Sequence, residues 1–491
     1  MVVVFPDLAS FGLSRTRGFL SDDTPLTSFR DGYYAPWDDL AARLPALIAS
    51  RALGGHVGAL PVLSTSGLTT EPDLRRAYVV LAFLVHGYVW AGGGDAAVVD
   101  TVPPQLGEPF LHVCERLGME PVLSYAGLCL WNWAAVVGGS GGGVGSNEDN
   151  NDGDDAGAGF YDLEELVSLG SFTGTRGEDA FYLVPVLVEA EGGTLLALLL
   201  DALAAAVNGN DDADDDDDDD DVSSGLVAAL DRSAEALARM ARHLPKLYPL
   251  LDARAFYHEL RPFFSGGRGM ENKGLPRGEV VFQRVDGSER RARCVGGSAG
   301  QSCLFQALDC VLGVRHEGPG GGRESFFEEM RAYMPGKHRE LLGQLARLPM
   351  TIRGYVESHR RSDERLVRAY DGCVKELRSW RGRHMAVVSK YIVQPARLAA
   401  AQEANGDDDD ARETRNGARR TNGGDGTGPA TRGEREQKEE EEEEEEAGLQ
   451  AVMAKGGGDE LQGTGGSALV PFLRQSRDET VGLGQQSARG K

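Results

Sequence analysis

Positive charge is what this 491-residue chain is short of: 51 lysines and arginines stand against 76 aspartates and glutamates, for a net charge of -25. Phosphate backbones are bound by basic faces, so DNA and RNA are not expected partners. Cysteine is sparse. The six, Cys114, Cys129, Cys294, Cys303, Cys310 and Cys373, include no Cys-x-x-Cys pair. That usage fits reduced thiols in a cytoplasmic protein and argues against a disulfide framework. Long apolar runs are missing too. No stretch approaches the ~18 unbroken apolar residues of a membrane span. Leu183–Val207 is the most apolar segment, but Glu189, Glu191 and Asp201 interrupt it. It reads as a buried helix, and no membrane partner is expected. The opening MVVVFPDLASFG lacks the basic start and long apolar core of a signal peptide.

The acidity is concentrated. Asp211–Asp221 holds ten aspartates around Ala213, Asp407–Asp410 four more, and Glu439–Glu446 eight glutamates. Those 22 acids account for all but three units of the net charge. The remainder is nearly neutral and rich enough in apolar residues, 41% of the whole chain, for a sizeable core. Such runs read as solvated insertions, the alternative being binding of cations or basic proteins.

Helical periodicity dominates. Thr70–Trp90 reads as a helix with a threonine cap and an acidic first turn, and its His86 as a core or partly exposed histidine. Phe181–Leu200 reads as an apolar helix that Pro185 kinks or starts. Leu226–Tyr248, Glu324–Met334, Lys337–Leu348 and Asp363–Ile392 follow as helices. In the last of these, Leu366, Tyr370, Cys373, Leu377, His384, Val388 and Tyr391 fall on one face. A histidine on a buried face needs partners for its ring nitrogens. A carbonyl, a water or a metal would serve, and a neutral imidazole is a good axial ligand for haem iron.

Seven segments resemble the indoleamine 2,3-dioxygenase family, in the family's order, between about Arg17 and Arg474. They are PVLSYAGLCLWNW (121–133), FYLVPVLVE (181–189), AFYHELRPFFSGG (255–267), GGSAGQSCLFQALDCVLG (296–313), RAYMPGKHRELL (331–342), RGRHMAVVSKYIVQPA (381–396) and GTGGS (463–467). The arrangement looks most like the fungal branch. The resemblance implies an all-α fold: a large helical haem-binding domain with a smaller, mainly helical N-terminal domain. On that reading residues 1–135 form the small domain and 136–159 a Gly/Asn/Asp linker or insertion. Residues 160–396 form the haem domain, with an acidic insertion at 209–222. Residues 397–462 are a low-complexity acidic loop, and 463–491 a GTGG lid and terminal helix.

The resemblance also implies haem b as cofactor, with His384 as proximal iron ligand. It implies oxidative opening of the indole ring of L-tryptophan, or a related indole, by O2. The product would be N-formylkynurenine, the first step of the kynurenine pathway towards NAD. An electron donor would keep the iron ferrous, and the chain would be a monomer. Arg261 matches the substrate-carboxylate arginine, whose fork suits a carboxylate. Phe256 and Phe181 match the aromatic walls against the indole, and Tyr125 the pocket tyrosine. Gly297, Ser298 and Ala299 belong to a small-residue run that lets backbone approach a ligand closely; it lacks the Gly-Lys-Ser/Thr ending of a phosphate loop. Thr464 matches a threonine on a closing lid. Arg381 matches the haem-propionate arginine, with Asp309 as its partner. Mammalian members carry serine where this chain has Pro185, which offers neither a side-chain donor nor an N–H. No side chain is expected to act as acid or base. Rival readings on the same fold are a non-enzymatic O2-binding haem protein, a dioxygenase for another indole, and an interaction protein acting through its acidic segments. Arg261, Phe256 and Thr464 favour the enzyme over the O2 carrier.

Overall fold

The computed structural model of this chain describes residues 3–20, 22–91, 98–136, 162–209, 218–314 and 326–400, together with residues 402, 480 and 482. Thr464, all of 137–161, most of the acidic insertion and most of 397–491 lie outside the described residues.

The architecture is mostly helical, as expected, with two small sheets that helical periodicity does not announce. Thr70 opens the Glu71–Trp90 helix through a capping box with Asp73. Fifteen of that helix's twenty residues are buried, on every side, so it runs through the interior. Thr101–Val102 pairs in parallel with Val280–Gln283, which pairs antiparallel with Glu289–Ala292. Trp133–Ala135 pairs antiparallel with Leu166–Ser168. One hydrophobic cluster extends from Leu8 to Tyr391, and all six cysteines are free thiols.

The expected helix over Phe181–Leu200 is two helices, Arg176–Glu191 and Leu195–Asn208. The break falls at Gly192–Gly193, where a side chain on Gly193 would come within 2.6 Å of the Arg17 backbone. Together the two are long and apolar enough to cross a membrane, yet 78% of their most apolar window is buried in the protein. Leu195–Asn208 packs on Asp218–His243, which in turn packs along Glu364–Val388. Asp363 caps that last helix by accepting from the Arg365 and Leu366 amides. Its apolar stripe of Leu366, Tyr370, Cys373 and Leu377 is buried. The stripe points the C-terminal half of the helix at a cavity.

Candidate active site

The cavity holds about 1650 Å³ of empty space, part of it open to solvent. Three π-helical turns border it: Ala126–Leu130, Phe256–Leu260 and Ser389–Val393. Each is closed by an amide bonding five residues back; the Arg261 N–H, for example, donates to the Phe256 carbonyl. In a regular α-helix residues five apart diverge by about 140°. The wider turn brings them closer to one face, and both Phe256 and Arg261 line the cavity. π turns are often found at functional sites for this reason.

His384 lines the cavity from the Glu364–Val388 helix. Among the described residues its imidazole makes no hydrogen bond, and desolvation alone pulls its pKa from 6.5 to about 4. The ring is therefore neutral at pH 7. One turn before it, Arg381 is buried and salt-bridged to Asp309, the partner expected from sequence. Its guanidinium also donates to Thr480 and lies 4.3 Å from the Phe305 ring centroid. A second aromatic group, Trp380 and Phe327, packs against Phe305.

Arg261 does not lie on the open surface, as an arginine followed by proline could. It lines the cavity, with its guanidinium 5.1 Å from the Tyr257 ring centroid. Burial lowers its pKa from 12.5, a desolvation cost that an anionic ligand would offset. Beside it stand stacked aromatics. Phe181 packs 4.8 Å from Phe256 and 5.1 Å from Phe264, and Phe256 meets Tyr391 edge-on at 5.8 Å. The planar faces suit a flat apolar ring.

Phe181, Pro185 and Glu189 are spaced by four on the Arg176–Glu191 helix, and all three line the cavity. Pro185 has no amide to bond the Phe181 carbonyl. Glu189 is 2% exposed. Its Oε1 accepts from the Tyr125 hydroxyl at 2.9 Å and the Ser302 hydroxyl at 2.8 Å. Burial pushes its pKa from 4.5 to about 7.

The small-residue run lies against protein backbone. A side chain on Gly296 would clash with the Phe264 carbonyl, and one on Gly297 with Leu128. The expected close approach is thus between chain segments, while Gly297, Ser298 and Ala299 still line the cavity. Gln301 ties these segments together. Its carbonyl oxygen accepts from the Tyr125 amide at 3.0 Å, and its amide donates to the Gly296 carbonyl at 2.9 Å. His86 is a core histidine. Its Nε2 accepts from the Leu123 amide at 2.8 Å, so its Nδ1–H donates to the Phe263 carbonyl at 2.7 Å. It pins the Tyr125 segment to the Arg261 segment.

Ten of the eleven site residues expected from sequence are therefore described. Tyr125, Phe181, Phe256, Arg261, Gly297, Ser298, Ala299, Arg381 and His384 line one cavity, and Asp309 supports it through Arg381. Thr464 lies outside the described residues. Glu189, Ser302, Gln301 and Thr480 were not anticipated. Glu189 carried a signal, being an acid in an apolar helix at four-residue spacing from Phe181 and Pro185.

A sequence profile of indoleamine 2,3-dioxygenase matches residues 7–482. An indoleamine 2,3-dioxygenase of Aspergillus nanangensis is 30% identical over 97% of this chain and 96% of its own. The indoleamine 2,3-dioxygenase of Saccharomyces cerevisiae is 31% identical over 97% and 93%. A protein of Fusarium equiseti named 6-hydroxytryptophan 2,3-dioxygenase is 32% identical over 79% of this chain and 86% of its own. Match and cavity agree: the chain belongs to the indoleamine 2,3-dioxygenase family, haem-dependent oxidoreductases that insert O2 into indoles.

Proposed function

We propose that this protein opens the indole ring of L-tryptophan with O2, giving N-formylkynurenine, with both oxygen atoms retained in the product. The carrying observation is that Arg261 and a neutral His384, without a hydrogen bond among the described residues, line the same apolar, aromatic-walled cavity. The residues fit haem. His384 offers a free nitrogen lone pair to a cavity of suitable size, and Arg381, locked by Asp309, stands one turn away for a propionate. When bound, haem supplies the activation of O2. The chain's own residues do the rest. Arg261 pairs with the amino-acid carboxylate, and Phe181 and Phe256 hold the ring by its faces. The apolar wall of Val184, Pro185 and Val188 keeps water from the reacting carbons. An external electron donor keeps the iron ferrous, and the chain works as a monomer.

A second reading has one specific observation behind it. Pro185 lines the cavity where a hydroxyl-bearing residue could help to orient the ligand, which favours an indole other than tryptophan. The Fusarium relative bears a name of that kind. An O2 carrier would have no use for Arg261. The test is to load the full chain with haem, reduce it, and add L-tryptophan and air. Formation of N-formylkynurenine, lost in Arg261→Ala, supports the proposal. An O2-binding spectrum with no product from any indole overturns it.

A further inference from the structure

Glu189 sits in the wrong place for a structural acid. It lies in the last turn of the Arg176–Glu191 helix, where the helix dipole disfavours negative charge. It is buried beside an apolar cavity. Both of its internal donors, the Tyr125 and Ser302 hydroxyls, go to Oε1. Oε2 is buried and has no hydrogen-bond partner among the described residues. An unpaired buried polar oxygen is costly, and beside a cavity a ligand is one group that can satisfy it.

Its position along the helix indicates which part of a ligand it meets. Phe181 packs on Phe256, one π turn from Arg261. Glu189 is two turns farther along, a rise of about 12 Å. The wall between is apolar: Val184, Pro185 and Val188. A ligand whose carboxylate is held at Arg261 therefore presents the far, benzene edge of its indole towards Glu189.

We infer that Glu189 is a specificity-determining residue whose Oε2 hydrogen-bonds a hydroxyl on the benzene ring of the bound indole, so that ring-hydroxylated tryptophans are preferred ligands. The inference rests on the reading of this cavity as an indole site. Tyr125 and Ser302 hold the carboxyl so that one oxygen is spent internally and the other is kept for the ligand. A pocket built to bond a hydroxyl discriminates against the analogue that lacks it, whereas a purely apolar pocket discriminates weakly.

The test uses the haem-loaded full chain and its Glu189→Leu and Glu189→Gln variants. The ligands are L-tryptophan, its 5-hydroxy and 6-hydroxy forms, and 6-methyl-L-tryptophan as a donor-free control of similar size. Equilibrium binding is read by difference spectra, and kcat/KM by product formation. The expected result is tighter binding of at least one hydroxylated form than of tryptophan. Glu189→Leu should cut that preference by about tenfold or more, with a smaller, equal fall for tryptophan and the methyl form because the Tyr125 and Ser302 hydroxyls lose their acceptor. Glu189→Gln keeps the size and internal acceptor and should give an intermediate loss. An equal fall for all four ligands would mark a merely structural role and overturn the inference, as would an unchanged preference in both variants. If the wild type binds these ligands selectively but turns none over, the dioxygenase reading falls and the inference stands.

Discussion

Two buried glutamates on one helix have opposite fates. Glu178, in the first turn of Arg176–Glu191, is fully enclosed and accepts from five donors: the Phe172 and Thr173 amides and the Ser171, Thr173 and Tyr182 hydroxyls. It stands where the helix dipole favours an anion. Glu189, eleven residues on, has two donors on one oxygen and stands at the unfavourable end. Side-chain chemistry is the same; only the supply of partners differs. Where the fold closes every valence, an acid is an anchor. Where valences stay open around a cavity among the described residues, as at Glu189 and His384, the group is available to something that binds.

The comparison is sharpened first by His384→Ala. This substitution touches an open valence, so the haem-ligated Soret band should be lost while the helical circular dichroism is retained. An unchanged Soret band would break the assignment. Arg261→Ala should keep the haem spectrum and lose about 3 kcal/mol of transition-state binding for tryptophan, roughly a hundredfold in kcat/KM. Glu178→Ala should do the reverse. Leaving its donors unsatisfied should cost about 3 kcal/mol of stability by urea unfolding, with substrate affinity unchanged in the folded fraction. The last effect is on pH dependence. The folded pKa of Glu189 is raised from 4.5 to about 7, so the native state holds a proton that the unfolded chain releases. The wild type should therefore lose stability as pH rises from about 4.5 to about 7, relative to Glu189→Gln. The neighbouring Tyr125, Cys129 and Cys303 are all pushed up by burial and stay neutral across this range. Parallel pH profiles for the two proteins would remove the contrast between the two acids.

Much of this was legible in sequence because it depends on local chemistry. Thr70 and Asp73 make a capping box wherever they begin a helix, and the apolar stripe of Glu364–Val388 has one way to face a core. The cavity residues were legible through short motifs. Three things were not. The helix break at Gly192–Gly193 depends on the Arg17 backbone, more than 170 residues earlier in the chain. The π turns insert a residue without a distinctive composition, and a regular helix would turn Phe256 and Arg261 to different faces. The sheet pairing Thr101–Val102 with Val280–Gln283 is too short and too distant in sequence for a period-two pattern to show it. Thr480 went unanticipated for the same reason, since its contact with Arg381 spans 99 residues.

The two hydrogen bonds of His86 also bear on how the site is made in time. One ring fastens residue 123 to residue 263, 37 and 177 positions away. A chain emerging from the ribosome can complete the Glu71–Trp90 helix early, but the second bond must wait for the Arg261 segment, and His384 comes later still. The loop-closure entropy of such distant contacts is met before any of them stabilises the chain. The cavity is thus a late product of synthesis, and the histidine that joins two of its flanking segments waits most of that interval for its second partner.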